Sequence, residues 1–206
     1  MEELEEVVAG IRPRLAAQDQ ARERALRACR QVIRHSSDAI RAVHRQEYDQ
    51  GRKVLGSAEE LVRELNAGLA GQGRLLHSGF VHDAQKEFAE GRITLALITE
   101  QELPRPEDLG VSDAAYLDGL GEAVGELRRY ILDSLRRGDF SRCEELLDVM
   151  DGIYSLLISM DFPELLAHGL RRSTDAIRGI TERTRGDLTV ALRQRRLESK
   201  LDGLGD

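Results

Sequence analysis

The stretch that decides the fold runs from Ser112 to Gly138 and reads SDAAYLDGLGEAVGELRRYILDSLRRG. Ser112 or Asp113 can cap the start of a helix, and Gly138 can end it. Between these residues, apolar side chains recur every three or four positions, at Leu117, Leu120, Val124, Leu127 and Ile131. This spacing puts them on one helical face, so the stretch is predicted to be an amphipathic helix that packs against other helices.

The same periodicity extends over most of the chain and predicts five or six helices. After a short acidic lead over 1–12, Pro13 is predicted to open a long first helix that ends near Gly51 or Gly56. Ser57 is the predicted cap of the second helix, and a third is predicted over about 78–102.

The rest of the chain gives two further helices beyond the one at 112–138. Pro104 and Pro106 mark a Pro-rich loop over 103–111, which precedes that helix. Asp139 restarts the chain into a fifth helix, and Pro163 is predicted to open a final long one that ends at Gly203 and Gly205.

Length and composition agree with a helical bundle. A chain of 206 residues falls within the range of a single domain, so residues 1–206 are predicted to form one. Charged residues make up 33% and aromatic residues 4%, without any Trp, and strong helix formers dominate the remainder. The predicted class is all-α, with helices packed on helices.

The charge balance and the two cysteines restrict the functional classes. The formal net charge of -7 gives no overall attraction to nucleic acid, so any phosphate-binding surface must be local. Cys29 and Cys143 fit neither a metal-ligand spacing nor a disulfide framework and are predicted to be buried thiols in a reducing compartment. The acidic start is unlike a signal peptide, and no apolar run approaches the roughly 18 residues of a membrane span, so we expect a cytoplasmic protein without a membrane partner.

A basic stripe follows the predicted first helix. At about 100° per residue, its members fall within roughly a third of the helix circumference. Because like charges stack there at spacings of four, with Asp38 and Glu23 as the nearby acids, a phosphate backbone would relieve their repulsion. The alternative is a solvated face that pairs with acidic neighbours. The members are Arg27, Arg30, Arg34, Arg41, His44 and Arg45.

Two acidic pairs form a second candidate site. Glu87 and Glu90 lie three apart on the third predicted helix, and Glu122 and Glu126 lie four apart on the fourth. If these helices pack antiparallel, four carboxylates can converge and would need a compensating cation. Oxygen ligands without His or Cys select Mg²⁺ or Mn²⁺, which supports hydrolysis of a phosphodiester. The alternative is ordinary surface charge in a Glu-rich chain.

Motifs of several other enzyme classes are missing from the sequence. No His follows a Glu by three residues, so the ligand pairs of ferritin-like di-iron bundles are absent. There is also no phosphate loop, no Gly-x-Ser-x-Gly elbow and no His-Glu-x-x-His motif. The glycines at Gly119, Gly121 and Gly125 are interpreted as a surface for close packing between helices.

Two stretches resemble the translin family. The segment SDAIRAVHR over 37–45 resembles the first long helix of that family, and YLDGLGEAVGELRR over 116–129 is similar to its Tyr-Leu-x-Gly and Gly-Glu-Leu core. Further agreement lies at 148–154 and from 161 to 172, so the resemblance covers most of the chain from about Arg22 onward.

The resemblance implies an antiparallel bundle of six to seven helices that assembles into a closed, octamer-like homo-oligomer holding RNA inside. One branch of the family mainly binds single-stranded nucleic acid, and the other supplies a Mg²⁺-dependent ribonuclease site. The second branch carries Glu-x-x-Glu and Asp-x-x-x-Glu motifs, which match Glu87 with Glu90 and Glu122 with Glu126. At Glu122 this chain has Glu where the family has Asp, and Glu reaches one methylene further.

Three hypotheses follow for the function. The first is a metal-dependent endoribonuclease that acts on single-stranded or short structured RNA, with the four glutamates as catalytic residues and metal ligands and the basic stripe along the RNA. The second is a binding module for single-stranded RNA or DNA without catalysis. The third is a helical adaptor that has no nucleic-acid role.

Overall fold

The computed structural model describes residues 1–160 and 170–202, and every regular element within these ranges is an α-helix, which confirms the predicted all-α class. Side chains of the last helix are described from residue 174 onward. In chain order the helices are α1 (Glu2–His44), α2 (Tyr48–Gly68), α3 (Gly73–Leu76), α4 (Gly79–Ile98), α5 (Pro106–Leu109), α6 (Asp113–Arg136), α7 (Cys143–Ser159) and α8 (Leu170–Asp202). Two of them, α3 and α5, are single turns of four residues.

The first helix begins earlier than predicted. It starts at Glu2, so 1–12 is not a separate lead, and Pro13 lies inside the helix. Acidic side chains at Glu2, Glu3 and Glu5 occupy its first turn, where they interact favourably with the helix dipole. The sequence-based start at Pro13 was wrong because a favourable first turn lay further upstream.

The first helix also ends earlier than predicted, at His44 and not near Gly51 or Gly56. Gln46 adopts a left-handed conformation with φ of 63°, and the backbone N–H groups of Gln46 and Glu47 donate to the carbonyls of Val43 and Ala42. These bonds satisfy carbonyls at the helix end. Gly51, Gly56 and Ser57 all lie within α2, so the predicted cap at Ser57 was wrong as well.

The other boundaries lie closer to the predictions. Ser78 is the N-cap of α4, and the Oγ of Ser112 accepts a hydrogen bond from the backbone N–H of Ala115 at the start of α6. The helix α4 ends at Ile98, four residues before the predicted end, and the Pro-rich loop contains α5. The predicted boundaries at 163, 203 and 205 lie outside the described residues.

Neighbouring helices pack in both directions. Gly51 near the start of α2 lies against Val43 near the end of α1, so these two helices are antiparallel. In contrast, His82 contacts Asp118 and Lys86 contacts Glu122, each pair 36 residues apart, so α4 and α6 run in the same direction.

Antiparallel packing, the condition under which the acidic pairs were expected to converge, is therefore not the packing of α4 against α6. The helix α4 has 20 residues and is about 30 Å long. The segment 99–112 can span roughly 45 Å when extended, so it returns the chain to the end of the bundle where α4 began. The two acidic pairs still meet, because residues 36 positions apart lie side by side along the two parallel helices.

A close contact between α4 and α6 sets that register. A β-carbon added to Gly119 would lie 2.8 Å from the carbonyl oxygen of Lys86 and 2.9 Å from both the Ala89 β-carbon and the backbone nitrogen of Glu90. The close-packing role predicted for the glycines is therefore confirmed at Gly119. At Gly125, by contrast, no atom lies within 4 Å of an added β-carbon.

The core is formed by α1, α2, α4, α6, α7 and α8, and its largest members include Leu55, Phe88, Leu127 and Ile131. Cys29 and Cys143 are buried, free thiols, as predicted, and burial raises the pKa of each to about 11. Within the described parts of the chain, no helix is long and apolar enough to cross a membrane.

Candidate nucleic-acid interface and carboxylate cluster

The four predicted glutamates lie along the contact between α4 and α6. Glu90 is buried, with 7% of its surface exposed, because it faces α6 beside Gly119. Glu87 and Glu126 are half-buried, and Glu122 is exposed. We call Glu87, Glu90, Glu122 and Glu126 the carboxylate cluster. The charges of the other three all act on Glu90, so the parallel packing brings the two acidic pairs together.

Within the cluster, Glu90 lies in surroundings that disfavour its charged form. Burial, followed by the charges of Glu87, Glu126 and Glu122, raises its pKa to about 8, although Lys86 acts in the opposite direction. None of the described residues donates a hydrogen bond to its carboxyl group. A cation beside Glu90 would favour the ionised carboxylate, because its charge would replace the hydration that stabilises an exposed carboxylate.

Lys86 places one cation in the cluster that the sequence analysis missed. Its Nζ donates to Glu122 Oε1 at 3.2 Å and lies 3.5 Å from Glu87 Oε1. Burial lowers the pKa of Lys86, but Glu122 and Glu87 outweigh this effect and leave the pKa raised. The ammonium therefore balances the outer part of the cluster, whereas Glu90 lies in its buried part.

His44 differs from the rest of the basic stripe. It is 8% exposed, and its Nε2 lies 2.5 Å from Glu126 Oε2, while its Nδ1 has no hydrogen-bond partner within the described residues. Position 44 faces inward because α1 turns its last residues toward α6. His44 thus contacts Glu126 of the cluster, and its place along the RNA as a member of the basic stripe remains a prediction.

The donor set of the cluster suits a hard cation. Carboxylate oxygens without thiol or free imidazole ligands are typical of Mg²⁺ and Mn²⁺ sites, and a buried carboxyl without a donor is available for such an ion. As the side chains lie, no group of three or more His, Cys, Asp or Glu residues in 1–160 and 170–202 has the arrangement of a metal site. Binding an ion therefore requires the side chains around Lys86 to rearrange.

The arginines of the basic stripe remain in water. Arg34 has 80% of its side chain exposed, and acids of the same helix partly neutralise the row. Asp38 pairs with both Arg34 and Arg41. Arg27 lies 3.9 Å from Glu23, and Arg45 lies 2.8 Å from Glu47. Among the described residues, Arg30 has no acidic partner. Exposed pairs of this kind contribute little stability, so these arginines can exchange their partners for phosphates.

A groove of about 780 Å³ lies between the end of α1 and the second half of α6. Most of its charged side chains are basic, and it adjoins the carboxylate cluster because His44 and Arg129 both contact Glu126. We call it the arginine groove. Its lining residues are Arg41, His44, Arg45, Gly125, Arg128, Arg129, Leu132, Asp133 and Arg136.

The sequence analysis missed the α6 side of this groove. Arg129 and Arg136 are exposed, and Arg128 is anchored by hydrogen bonds to Thr184 and Asp187 of α8. The sequence does contain a signal for them, because these arginines follow Glu126 on the same helix within about three turns. The fact that they face the end of α1 depends on tertiary packing and could not be read from helical spacing.

Comparison with known proteins gives several relatives. A crystal structure of C3PO from Archaeoglobus fulgidus is 34% identical, with a TM-score of 0.84, over 91% of this chain and 98% of that chain. A structure of the same protein in complex with duplex RNA is also 34% identical, with a TM-score of 0.81, over 91% of this chain and 97% of that one.

Two more distant relatives extend the comparison. The apo crystal structure of NeC3PO is 17% identical, with a TM-score of 0.81, over 89% of this chain and 96% of that chain, and this likeness concerns the fold alone. The uncharacterized protein MJ0175 of Methanocaldococcus jannaschii is 28% identical over 91% of this chain and 83% of its own length. No protein-family model matches the sequence.

Proposed function

Because the chain belongs to the translin family, we propose that it is an RNA-binding endoribonuclease that requires Mg²⁺ or Mn²⁺. The substrate would be single-stranded or short structured RNA. The observation that carries the proposal is the buried carboxyl of Glu90, surrounded by three other carboxylates at the edge of an arginine-lined groove.

RNA binding is assigned to the arginine groove together with the exposed arginines of the basic stripe. Arginine offers forked donors to phosphate oxygens, and phosphate neutralisation releases counterions. The duplex-RNA complex of the Archaeoglobus relative, at 34% identity, supports this half of the proposal. With 4% aromatic residues the chain has few side chains that can stack on bases, so sequence preference should be weak.

Cleavage is assigned to the carboxylate cluster. Glu87, Glu90, Glu122 and Glu126 would hold the divalent ion, which when bound lowers the pKa of a water molecule and neutralises charge on the phosphate. Glu90 supplies a carboxylate shielded from solvent, and His44 fixes the orientation of Glu126 through the 2.5 Å contact. Arg129, at 4.0 Å from Glu126, lies where it can hold the phosphate next to the cluster.

The assembly is proposed to be a closed homo-oligomer, with an octamer as the expected size. This proposal rests on membership of the family. A closed shell would place the arginine groove and the carboxylate cluster of each protomer on a shared internal surface. The site would then meet only RNA that can enter the shell.

A second candidate is a nucleic-acid-binding module, for RNA or single-stranded DNA, that does not cleave. Two observations favour it. Lys86 already neutralises Glu87 and Glu122, and Glu122 is a residue longer by one methylene than the Asp of the catalytic branch. A ligand displaced by about an ångström can slow chemistry roughly a hundredfold.

One experiment separates the two candidates. Labelled single-stranded RNA is incubated with the pure protein in Mn²⁺, in Mg²⁺ and in excess EDTA, and cleavage and retention are measured on the same samples. The nuclease proposal predicts cleavage with either metal and none in EDTA, with retention unchanged. Glu90→Gln combined with Glu126→Gln should abolish cleavage, and Glu60→Gln, at an exposed site on α2, is the matched control.

Cleavage that persists in EDTA or in the double variant would overturn the metal-dependent nuclease. Retention without cleavage under every metal condition would establish the binding module.

A further inference from the structure

The first fourteen residues of the chain extend beyond the bundle, and from Leu15 onward α1 lines a cavity together with residues 71–75. Every residue from 1 to 20 is exposed, although α1 is continuous through them. Five large apolar side chains lie in this part and are 38% to 62% exposed, namely Leu4, Val7, Val8, Ile11 and Leu15. Gly10 and Pro13 both weaken this part of the helix, so a packing partner would stabilise it.

The apolar side chains form one narrow seam. Their spacing of three, one, three and four residues places them within roughly 100° of the helix circumference, at about 100° per residue. Pro13 lies on the opposite side of the helix, so its ring does not obstruct the seam. Such a seam is typical of a helix that pairs with one other helix.

The charges beside the seam change sign along the helix. On one flank Glu5 is followed by Arg12, and on the other flank Glu3 is followed by Arg14. Both flanks are therefore acidic near the start of α1 and basic near its fourth turn. Two such helices side by side match their charges in the antiparallel direction, whereas parallel pairing would set Glu against Glu and Arg against Arg.

We propose that residues 2–18 of two copies of this chain pair as an antiparallel two-helix coiled coil. In this arrangement Leu4 packs against Leu15 of the partner subunit, and Val8 packs against Ile11 of the partner subunit. Glu3 pairs with Arg14 of the partner subunit and Glu5 with Arg12 of the partner subunit. The pairing is isologous, because each copy offers the same surface to the other.

The exposed end of α8 is the competing occupant. It carries Val190, Leu197 and Leu201 at 56% to 67% exposure, with several basic residues. It would match only the acidic half of the seam, and Arg195 already lies 4.6 Å from the ring of Phe140 in its own chain. The two-sided charge pattern therefore favours a second copy of the same segment.

Charge reversal tests the partner. Glu3→Arg with Glu5→Arg makes both flanks basic, and Arg12→Glu with Arg14→Glu makes both acidic. Each double variant alone should weaken the contact about tenfold, because four ion pairs become four repulsions, and an equimolar mixture should restore it. The readout is particle mass by light scattering over a dilution series, and the quadruple reversal, which is self-complementary again, is the control for folding.

Cross-linking tests the direction. A mixture of Leu4→Cys and Leu15→Cys proteins, mildly oxidised, should give a disulfide between positions 4 and 15, identified by peptide mass, that neither protein forms alone. Cys29 and Cys143 are buried and do not compete. A 4–4 or 15–15 cross-link, or no cross-link in the mixture, would overturn the proposal. The particle mass could instead fall in the Glu3→Arg, Glu5→Arg variant, stay unchanged in the Arg12→Glu, Arg14→Glu variant and remain low in the mixture. This result would identify the α8 end as the partner and would also overturn the proposal.

Discussion

Glu90 has 7% of its surface in water, whereas Arg34 has 80% of its side chain in water, although each belongs to a row of like charges at helical spacing. The basic stripe resolves its repulsion with solvent and with acids of its own helix, such as Asp38. Glu90 of the carboxylate cluster cannot do this, because it is buried against α6. We infer from this difference that the carboxylate cluster would gain from an outside cation, whereas the arginines of the basic stripe can bind an outside anion.

The largest expected effect concerns where RNA binds. Replacing Arg41, Arg129 and Arg136 of the arginine groove by Ala should weaken RNA retention about a hundredfold, because each loses a phosphate contact. The slope of log affinity against log salt should fall by about two. Fluorescence anisotropy with labelled single-stranded RNA at several salt concentrations measures both quantities.

The matched control is Arg27→Ala with Arg30→Ala and Arg34→Ala, which removes the same number of charges from the part of the basic stripe outside the groove. We expect a loss of severalfold at most. Equal losses for the two triple variants would show that the part of the basic stripe outside the groove contributes as much to RNA binding as the groove.

The next effect concerns the contact that sets the register of α4 and α6. Gly119→Ala should lower the free energy of unfolding by about 2 kcal/mol, because the added β-carbon meets backbone atoms that cannot easily move. Gly152→Ala in α7, where no atom lies within 4 Å of an added β-carbon, should raise stability by roughly 0.5–1 kcal/mol. Urea unfolding of both variants measures these changes. An unchanged free energy of unfolding in Gly119→Ala would contradict the close packing.

The third effect is a pH dependence of stability. The pKa of Glu90 is raised to about 8 from 4.5, so the folded state binds this proton more tightly than the unfolded state. The free energy of unfolding should therefore fall as pH rises from about 4.5 to about 8. In EDTA, Glu90→Gln should exceed the wild type in stability by more than about 1 kcal/mol at pH 8 and should nearly match it at pH 5.

Urea unfolding at pH 5, 6.5 and 8 measures this dependence, with Glu60→Gln as the exposed control. A wild-type curve that runs parallel to that of Glu90→Gln over the whole range would mean that Glu90 ionises without cost.

The smallest effect concerns Lys86. Its ammonium competes with a divalent ion for Glu87 and Glu122, so Lys86→Met should raise the affinity for Mn²⁺ severalfold. Titration calorimetry with Mn²⁺ and RNA-free protein gives this value without any activity measurement. A lower affinity in Lys86→Met would show that Lys86 supports the metal-binding arrangement and does not oppose it.

Helices that are marked by local sequence signals, such as a capping residue or a regular apolar spacing, could be predicted from the sequence. Ser78, Ser112 and the apolar spacing of α6 predicted helices close to those observed, and family resemblance together with spacing indicated the four glutamates that lie in one cluster. Sequence reasoning failed at the end of α1, because Gln46 occupies a left-handed position where Gly is usual and so gives no sign of a helix end.

Features that depend on tertiary packing were out of reach. The direction of α4 relative to α6 follows from the path of the segment 99–112, which has no periodic pattern. The partners of Lys86 and His44 lie 36 and 82 residues away. Their roles arise only once the register is set, so spacing alone placed His44 in the basic stripe and gave no role to Lys86.

The central claim is that the carboxylate cluster binds a divalent ion between α4 and α6. Crystals soaked in Mn²⁺ and measured for anomalous scattering test it directly. One strong peak per protomer is expected within about 2.5 Å of carboxylate oxygens from at least three of Glu87, Glu90, Glu122 and Glu126. It should be lost in Glu90→Gln combined with Glu126→Gln. The absence of a peak at this contact, or peaks only at other carboxylates, would contradict this claim.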